Sequence, residues 1–174
     1  MYLKSLELLQ FKNHEKTRLD FSPQINCFTG LNGSGKTNVL DGIHYLSLTK
    51  SAVQSSDSLN VRHDQGFFAI KGQFEIQEKP LEVRCTFELG KKKQIWQNGK
   101  TLDKTSEHVG LIPLVLIAPD DTELIKGGSE GRRKFFDGLL SQLDRQYLNK
   151  LIRYHHFLKQ RNALLKQFAE TGGR

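Results

Sequence analysis

The chain has 174 residues and 19.9 kDa, enough for one ordinary domain with a real hydrophobic core. Its 37% apolar residues and 15 glycines give a globular composition, which excludes wholesale disorder and fibrous repeats. Apolar runs reach about seven residues, as at 112–118, far below the roughly 20 that a membrane helix needs. The opening Met1-Tyr-Leu-Lys-Ser-Leu-Glu7 carries charges where a secretory signal would be apolar, so a cytoplasmic location without membrane contact is expected. Cys27 and Cys85 stand far apart, with no Cys-x-x-Cys pair and no histidine at ligand spacing. A disulfide framework or a zinc site is not expected.

The net charge of +7 is unevenly spread. Residues 1–125 hold 15 basic and 15 acidic side chains, whereas 126–174 hold 11 basic and four acidic. A basic end of this kind either meets a polyanion or is the solvated face of a helix.

In chain order, residues 2–11 read as a strand and 17–21 as a second, short one. Ser22-Pro23 breaks the pattern, and the apolar run 25–29 is expected to be a strand that feeds a glycine-rich stretch. From Lys36, residues Val39, Leu40, Ile43 and Leu46 recur at helical spacing, which predicts a helix to about Leu48. Residues 49–65 read as loop with at most a short helical turn. Residues 67–76 and 81–89 are expected to pair as antiparallel strands around a turn at Lys79-Pro80, and Asn98-Gly99 marks a further hairpin after a strand at 94–97. Residues 112–117 read as a buried strand, 129–143 and 146–169 as helices, and 171–174 as a disordered tail.

The chemistry concentrates in Gly30-Leu-Asn-Gly-Ser-Gly-Lys-Thr37, a G-x-x-x-x-G-K-T sequence expected between a strand and a helix. Gly30, Gly33 and Gly35 allow backbone N–H groups to converge on phosphate oxygens, where side chains would obstruct. The helix start adds its positive end, Lys36 is placed to reach the β- and γ-phosphates, and the Thr37 hydroxyl to bind Mg²⁺. The nucleotide-binding set is Gly30, Leu31, Asn32, Gly33, Ser34, Gly35, Lys36, Thr37 and Asn38, with ATP and Mg²⁺ as cofactors. A hydrolase of this type also needs acids directly after an apolar strand. Asp120 and Asp121 imitate that pattern, but Pro119 intervenes and removes a backbone donor where a central strand would continue. Gly127-Gly-Ser-Glu-Gly131 similarly imitates the segment by which ABC ATPases clamp a partner's nucleotide. The chain alone is therefore expected to lack hydrolysis.

The phosphate loop with Leu40-Asp-Gly-Ile-His-Tyr-Leu46 resembles that of ABC and SMC ATPases. Gln10-Phe-Lys-Asn-His14, Ile117-Ala-Pro-Asp-Asp121, Arg132-Arg-Lys-Phe-Phe-Asp137 and Tyr154-His-His-Phe-Leu-Lys-Gln-Arg-Asn-Ala-Leu-Leu-Lys166 resemble, in order, the RecF family of DNA replication and repair proteins. The resemblance covers essentially the whole chain and about half the length of family members, so the sequence looks truncated, with a second ATPase lobe missing. It implies an α/β fold: a P-loop core of ABC/SMC type with flanking antiparallel strands over 1–128, then a basic helical segment over 129–174 that begins an inserted arm. It also implies a cytoplasmic, nucleoid-associated protein of the SOS response that binds double-stranded DNA, forms an ATP-dependent homodimer, hydrolyses ATP weakly, and helps load recombinase with RecO and RecR. Lys12 stands where the family commonly has Arg, Ser34 where it often has Gln, and Asp41 where Glu is usual. Arg132, Arg133, Lys150 and Arg153 are the DNA-contact candidates, with Lys91-Lys-Lys93 as a further basic cluster. His155-His156 cannot both face one metal on a helix and read as structural. Two other readings stay open: a self-sufficient small P-loop kinase with Arg132 and Arg133 closing on substrate, and a nucleotide-switched interaction module without DNA binding.

Overall fold

Alternation of apolar and polar residues builds the sheet. In the computed structural model, which describes residues 1–171, β1 (Tyr2–Phe11), β2 (His14–Asp20), β3 (Phe67–Ile76), β4 (Lys79–Glu88), β5 (Gln94–Gln97) and β6 (Lys100–Thr101) form one sheet in the order β2-β1-β3-β4-β5-β6. Its pairings are all antiparallel, and a bulge interrupts the β1–β3 register between Leu3 and Ser5. Residues on one face interlock across strands: Leu8 opposes Ile70, which opposes Cys85, which opposes Ile95. Helix α1 (Lys36–Leu48) belongs to the same core through Val39, Tyr45 and Leu46. Close approach of helix to sheet is set at Gly72, where a Cβ would lie 2.5 Å from Leu46 Cδ1. Burial pushes the Cys85 thiol up to about 12, so it is an inert core group, whereas Cys27 is exposed.

The chain divides into two compact units, 1–116 and 117–174. In the second, the short α2 (Glu123–Lys126), α3 (Ser129–Leu143) and α4 (Arg145–Thr171) follow one another. Helices α3 and α4 pack together, and the Tyr147 hydroxyl donates to Asp137 Oδ1.

Two expected strands are absent. Residues 25–29 and 112–117 belong to no sheet, and Ile25, Val115 and Ile117 are 82%, 70% and 83% exposed, although Ile112 is buried in the core. An apolar run favours a ladder only where a neighbouring strand is available to complete it. The β3–β4 turn is at Gln77-Glu78, both at positive φ, and Pro80 lies inside β4 opposite Glu75. Proline is tolerated there because β5 pairs only with 83–86, which leaves β4 an edge at position 80. Asp57–Asn60 is a 3₁₀ turn within the loop at 49–65. Of the expected disordered tail, Thr171 ends α4 and 172–174 lie outside the described residues. No helix among the described residues is long and apolar enough to cross a membrane.

Candidate functional site

Three glycines with positive φ, Gly30 at 145°, Gly33 at 80° and Gly35 at 98°, turn the chain into the start of α1. Gly35 is the residue before the helix, and no side chain caps it. The first-turn N–H groups, which have no partner inside a helix, thus meet no capping side chain and remain available to an anion, with the helix dipole behind them. Lys36 lays its Nζ 2.8 Å from the Gly30 carbonyl and 2.8 Å from the Leu31 carbonyl. An ammonium has three protons, so one remains for a phosphate oxygen. Thr37 is exposed one residue further on. This donor set, a loop of backbone N–H groups with an adjacent ammonium and hydroxyl, fits a nucleotide triphosphate carrying Mg²⁺. Leu31, Asn32, Gly33 and Ser34 are exposed along the loop, and Ser34 N–H donates to the Leu31 carbonyl at 3.3 Å.

The turn between β1 and β2 lies directly against this loop. The Asn13 amide nitrogen donates to the Gly33 carbonyl at 3.2 Å, and its oxygen accepts from Asn38 Nδ2 at 2.7 Å. His14 Nε2 is 3.2 Å from the Gly35 carbonyl, and Nδ1 is 3.0 Å from Thr17 Oγ1. A carbonyl only accepts, so Nε2 carries a proton. A Cβ on Gly35 would fall 2.6 Å from His14 Nε2, so the turn and the glycine require each other.

Behind the turn, Lys12 Nζ sits 2.6 Å from Asp41 Oδ2, with the two side chains 9% and 1% exposed. Asp41, on α1, also accepts from Ser51 Oγ at 2.7 Å and from the Ala52 N–H at 2.6 Å. The loop at 49–65 is held again further along. Asp57 accepts from the Tyr45 hydroxyl and pairs with Lys93 at 2.9 Å, and Val61 bridges to Phe11. Lys93 is therefore engaged inward, and Lys91 pairs with Glu88. A cavity of about 540 Å³ at that end of the sheet, lined by Phe67, Phe87, Lys91 and Lys92 among others, contains no residue of the glycine loop.

In the second unit, residues 119–122 form a 3₁₀ turn, and the Asp121 carboxylate accepts the Ala118 N–H at 2.7 Å. Its acid is thus used on its own backbone. Gly128 precedes α3, and Arg132 reaches back to the Gly127 carbonyl at 2.9 Å, while Arg133 is exposed. Lys150 and Arg153 lie three residues apart on α4, both exposed, as are His155 and His156. Sequence reasoning missed Asn13 and His14 as site residues, because their turn composition carries no sign that the sheet places them against the glycine loop.

Fold and loop together define an α/β lobe with a P-loop-type glycine turn, and it has the fold of an ABC/SMC-type ATPase head. The chain belongs to the AAA domain family, whose profile matches residues 5–171. It is similar to the protein of Phocaeicola vulgatus named DNA replication and repair protein RecF, at 51% identity over 98% of this chain and 46% of that protein. Among solved structures it is similar to the recombination mediator protein RecF of the RecFOR pathway, described with ATPrS, at 34% identity and a TM-score of 0.91. That match covers 98% of this chain and 46% of the other. A second RecF structure, described with ATP, matches at 33% identity and 0.87, over 96% of this chain and 46% of the other. A structure from work on SMC ATPases shares the fold at 23% identity and 0.65, over 80% of this chain and 99% of the other. The chain spans about half the length of the curated relatives it matches.

Proposed function

We propose that the chain binds ATP with Mg²⁺ at residues 30–38 and serves in DNA repair and replication as part of a RecF-type protein. The observation that carries this reading is the glycine loop, whose three left-turning glycines lead into an uncapped helix start beside Lys36 and Thr37. The RecF likeness over nearly the whole chain supports ATP as the nucleotide and DNA repair as the setting. Thr37 would hold Mg²⁺ through its hydroxyl, and the ion would neutralise phosphate charge there. Arg132, Arg133, Lys150 and Arg153 would meet duplex DNA through its phosphates. The whole protein would form an ATP-dependent homodimer around the duplex, turn ATP over slowly, and help load recombinase with RecO and RecR. Calorimetric titration of the 174-residue chain with ATP, with and without Mg²⁺, tests the first step. Saturable binding that Mg²⁺ strengthens is expected, and no heat of binding in either titration would reject the reading.

A further inference from the structure

We infer that Asn13 is a positioning residue that latches the glycine loop to the first turn of α1. The inference rests on the nucleotide reading of that loop and deepens it. Asn13 uses both ends of its amide: Nδ2 donates to the Gly33 carbonyl and Oδ1 accepts from Asn38 Nδ2. Turning the amide over would set oxygen against the carbonyl and nitrogen against nitrogen, so the pairing fixes its orientation. The two partners lie on opposite sides of Gly35, one in the loop and one in the helix. Asn13 therefore bridges the segment whose N–H groups must converge on phosphate.

A glycine loop needs such a brace. Glycines permit the turns but have no side chains to pack, and they lose more conformational freedom on ordering than other residues. The brace comes from a turn that the sheet itself holds, since Phe11 pairs with His14 across it and Phe11 is fully buried. His14 packs on the same side against the Gly35 carbonyl. Gly35, buried and at a φ of 98°, leaves room for the brace because it has no Cβ. Asn13 is exposed, so water replaces its amide in a variant and the fold survives its removal.

The test uses the 174-residue chain with three readouts: thermal midpoint, backbone hydrogen exchange over 31–38, and ATP·Mg²⁺ affinity. In Asn13→Ala, exchange at 33–38 should rise and ATP affinity fall about tenfold, with the thermal midpoint and exchange in β3 and β4 unchanged. Asn13→Asp should lose more affinity than Asn13→Ala, because it aims a carboxylate at the Gly33 carbonyl beside the phosphate site. Asn38→Ala should lower affinity in the unaltered chain yet add little to Asn13→Ala, as expected if the two act as one unit. Faster exchange with unchanged ATP affinity would overturn the positioning role, and unchanged exchange would overturn the latch. If the unaltered chain bound no ATP, the nucleotide reading would fall, while the exchange comparison would still decide whether Asn13 holds the loop.

Discussion

Lys36 is held over the carbonyls of Gly30 and Leu31, so it is in place before any phosphate arrives and need not be recruited from solvent. Lys36→Ala should weaken ATP binding at least tenfold, about 1.4 kcal/mol or more, for the loss of one charge-assisted contact. Equal affinity of the folded variant in a calorimetric titration would remove Lys36 from the site. Lys12 makes a different kind of contact, since its partner Asp41 is almost fully buried. Lys12→Met should cost about 3 kcal/mol by leaving that carboxylate without its cation, near the low end for broken buried pairs because Ser51 and Ala52 still donate to it. Adding Asp41→Asn should recover part of the loss. Denaturant unfolding of the three chains measures both, and a Lys12→Met variant as stable as the parent would show that the pair contributes nothing net.

At the scale of elements, the C-terminal end of α1 is tied down by histidines that must stay neutral. His108 is fully buried, its Nε2 donating to the Leu46 carbonyl and its Nδ1 accepting from Gln97 Nε2. His44 donates through Nδ1 to the Lys50 carbonyl, with Asp41 nearby on the same helix. Burial lowers both pKa values below the ordinary 6.5, against a smaller raising effect of those hydrogen bonds. A lowered base binds fewer protons folded than unfolded, so its contribution is complete above about pH 6.5 and is lost as pH falls below it toward the folded pKa. Thermal midpoints should be level above that pH and drop as the pH is lowered below it, with a shallower drop in His108→Gln. A midpoint that climbs on acidification contradicts the assignment. Helix α1 was legible in the sequence because Val39, Ile43 and Leu46 repeat at helical spacing, and β3 and β4 because their apolar residues alternate. The turn at Gln77-Glu78 was not, since neither residue favours the positive φ it adopts, while Pro80 gave a false signal one step later. Residues 25–29 and 112–117 misled for another reason: composition reports a readiness to pair, and only the arrangement of neighbours decides whether pairing occurs. The glycine loop was legible residue by residue, whereas its brace at Asn13 and His14 depends on strand register that no local pattern encodes.

Charge is a property of the whole molecule, and here it separates by sequence: 1–125 balances at 15 against 15, and 126–174 carries 11 basic against four acidic residues. Some of that excess is spoken for, since Lys134 pairs with Glu130 and Arg132 serves the backbone of Gly127. Arg133, Lys150 and Arg153 are exposed, and the proposed DNA role draws on them. Contacts to the duplex backbone release counterions, so affinity should fall steeply with salt, the log–log slope steepening by roughly 0.9 for each phosphate neutralised. Base sequence should matter little, because phosphate contacts position a protein without reading base edges. Replacing Lys150 and Arg153 together by Ala, or Arg132 and Arg133 together, should flatten the slope by roughly one unit per lost contact, about two for each pair. Fluorescence anisotropy with a labelled duplex at several salt concentrations, on this chain and on a full-length relative carrying the same changes, reads the slopes directly. Slopes and affinities that stay put in both proteins would make 126–174 a solvated helical surface and move the DNA contacts elsewhere. A loss of affinity with the slope unchanged would also count against phosphate contact, since a neutralised phosphate cannot be lost without its counterion term.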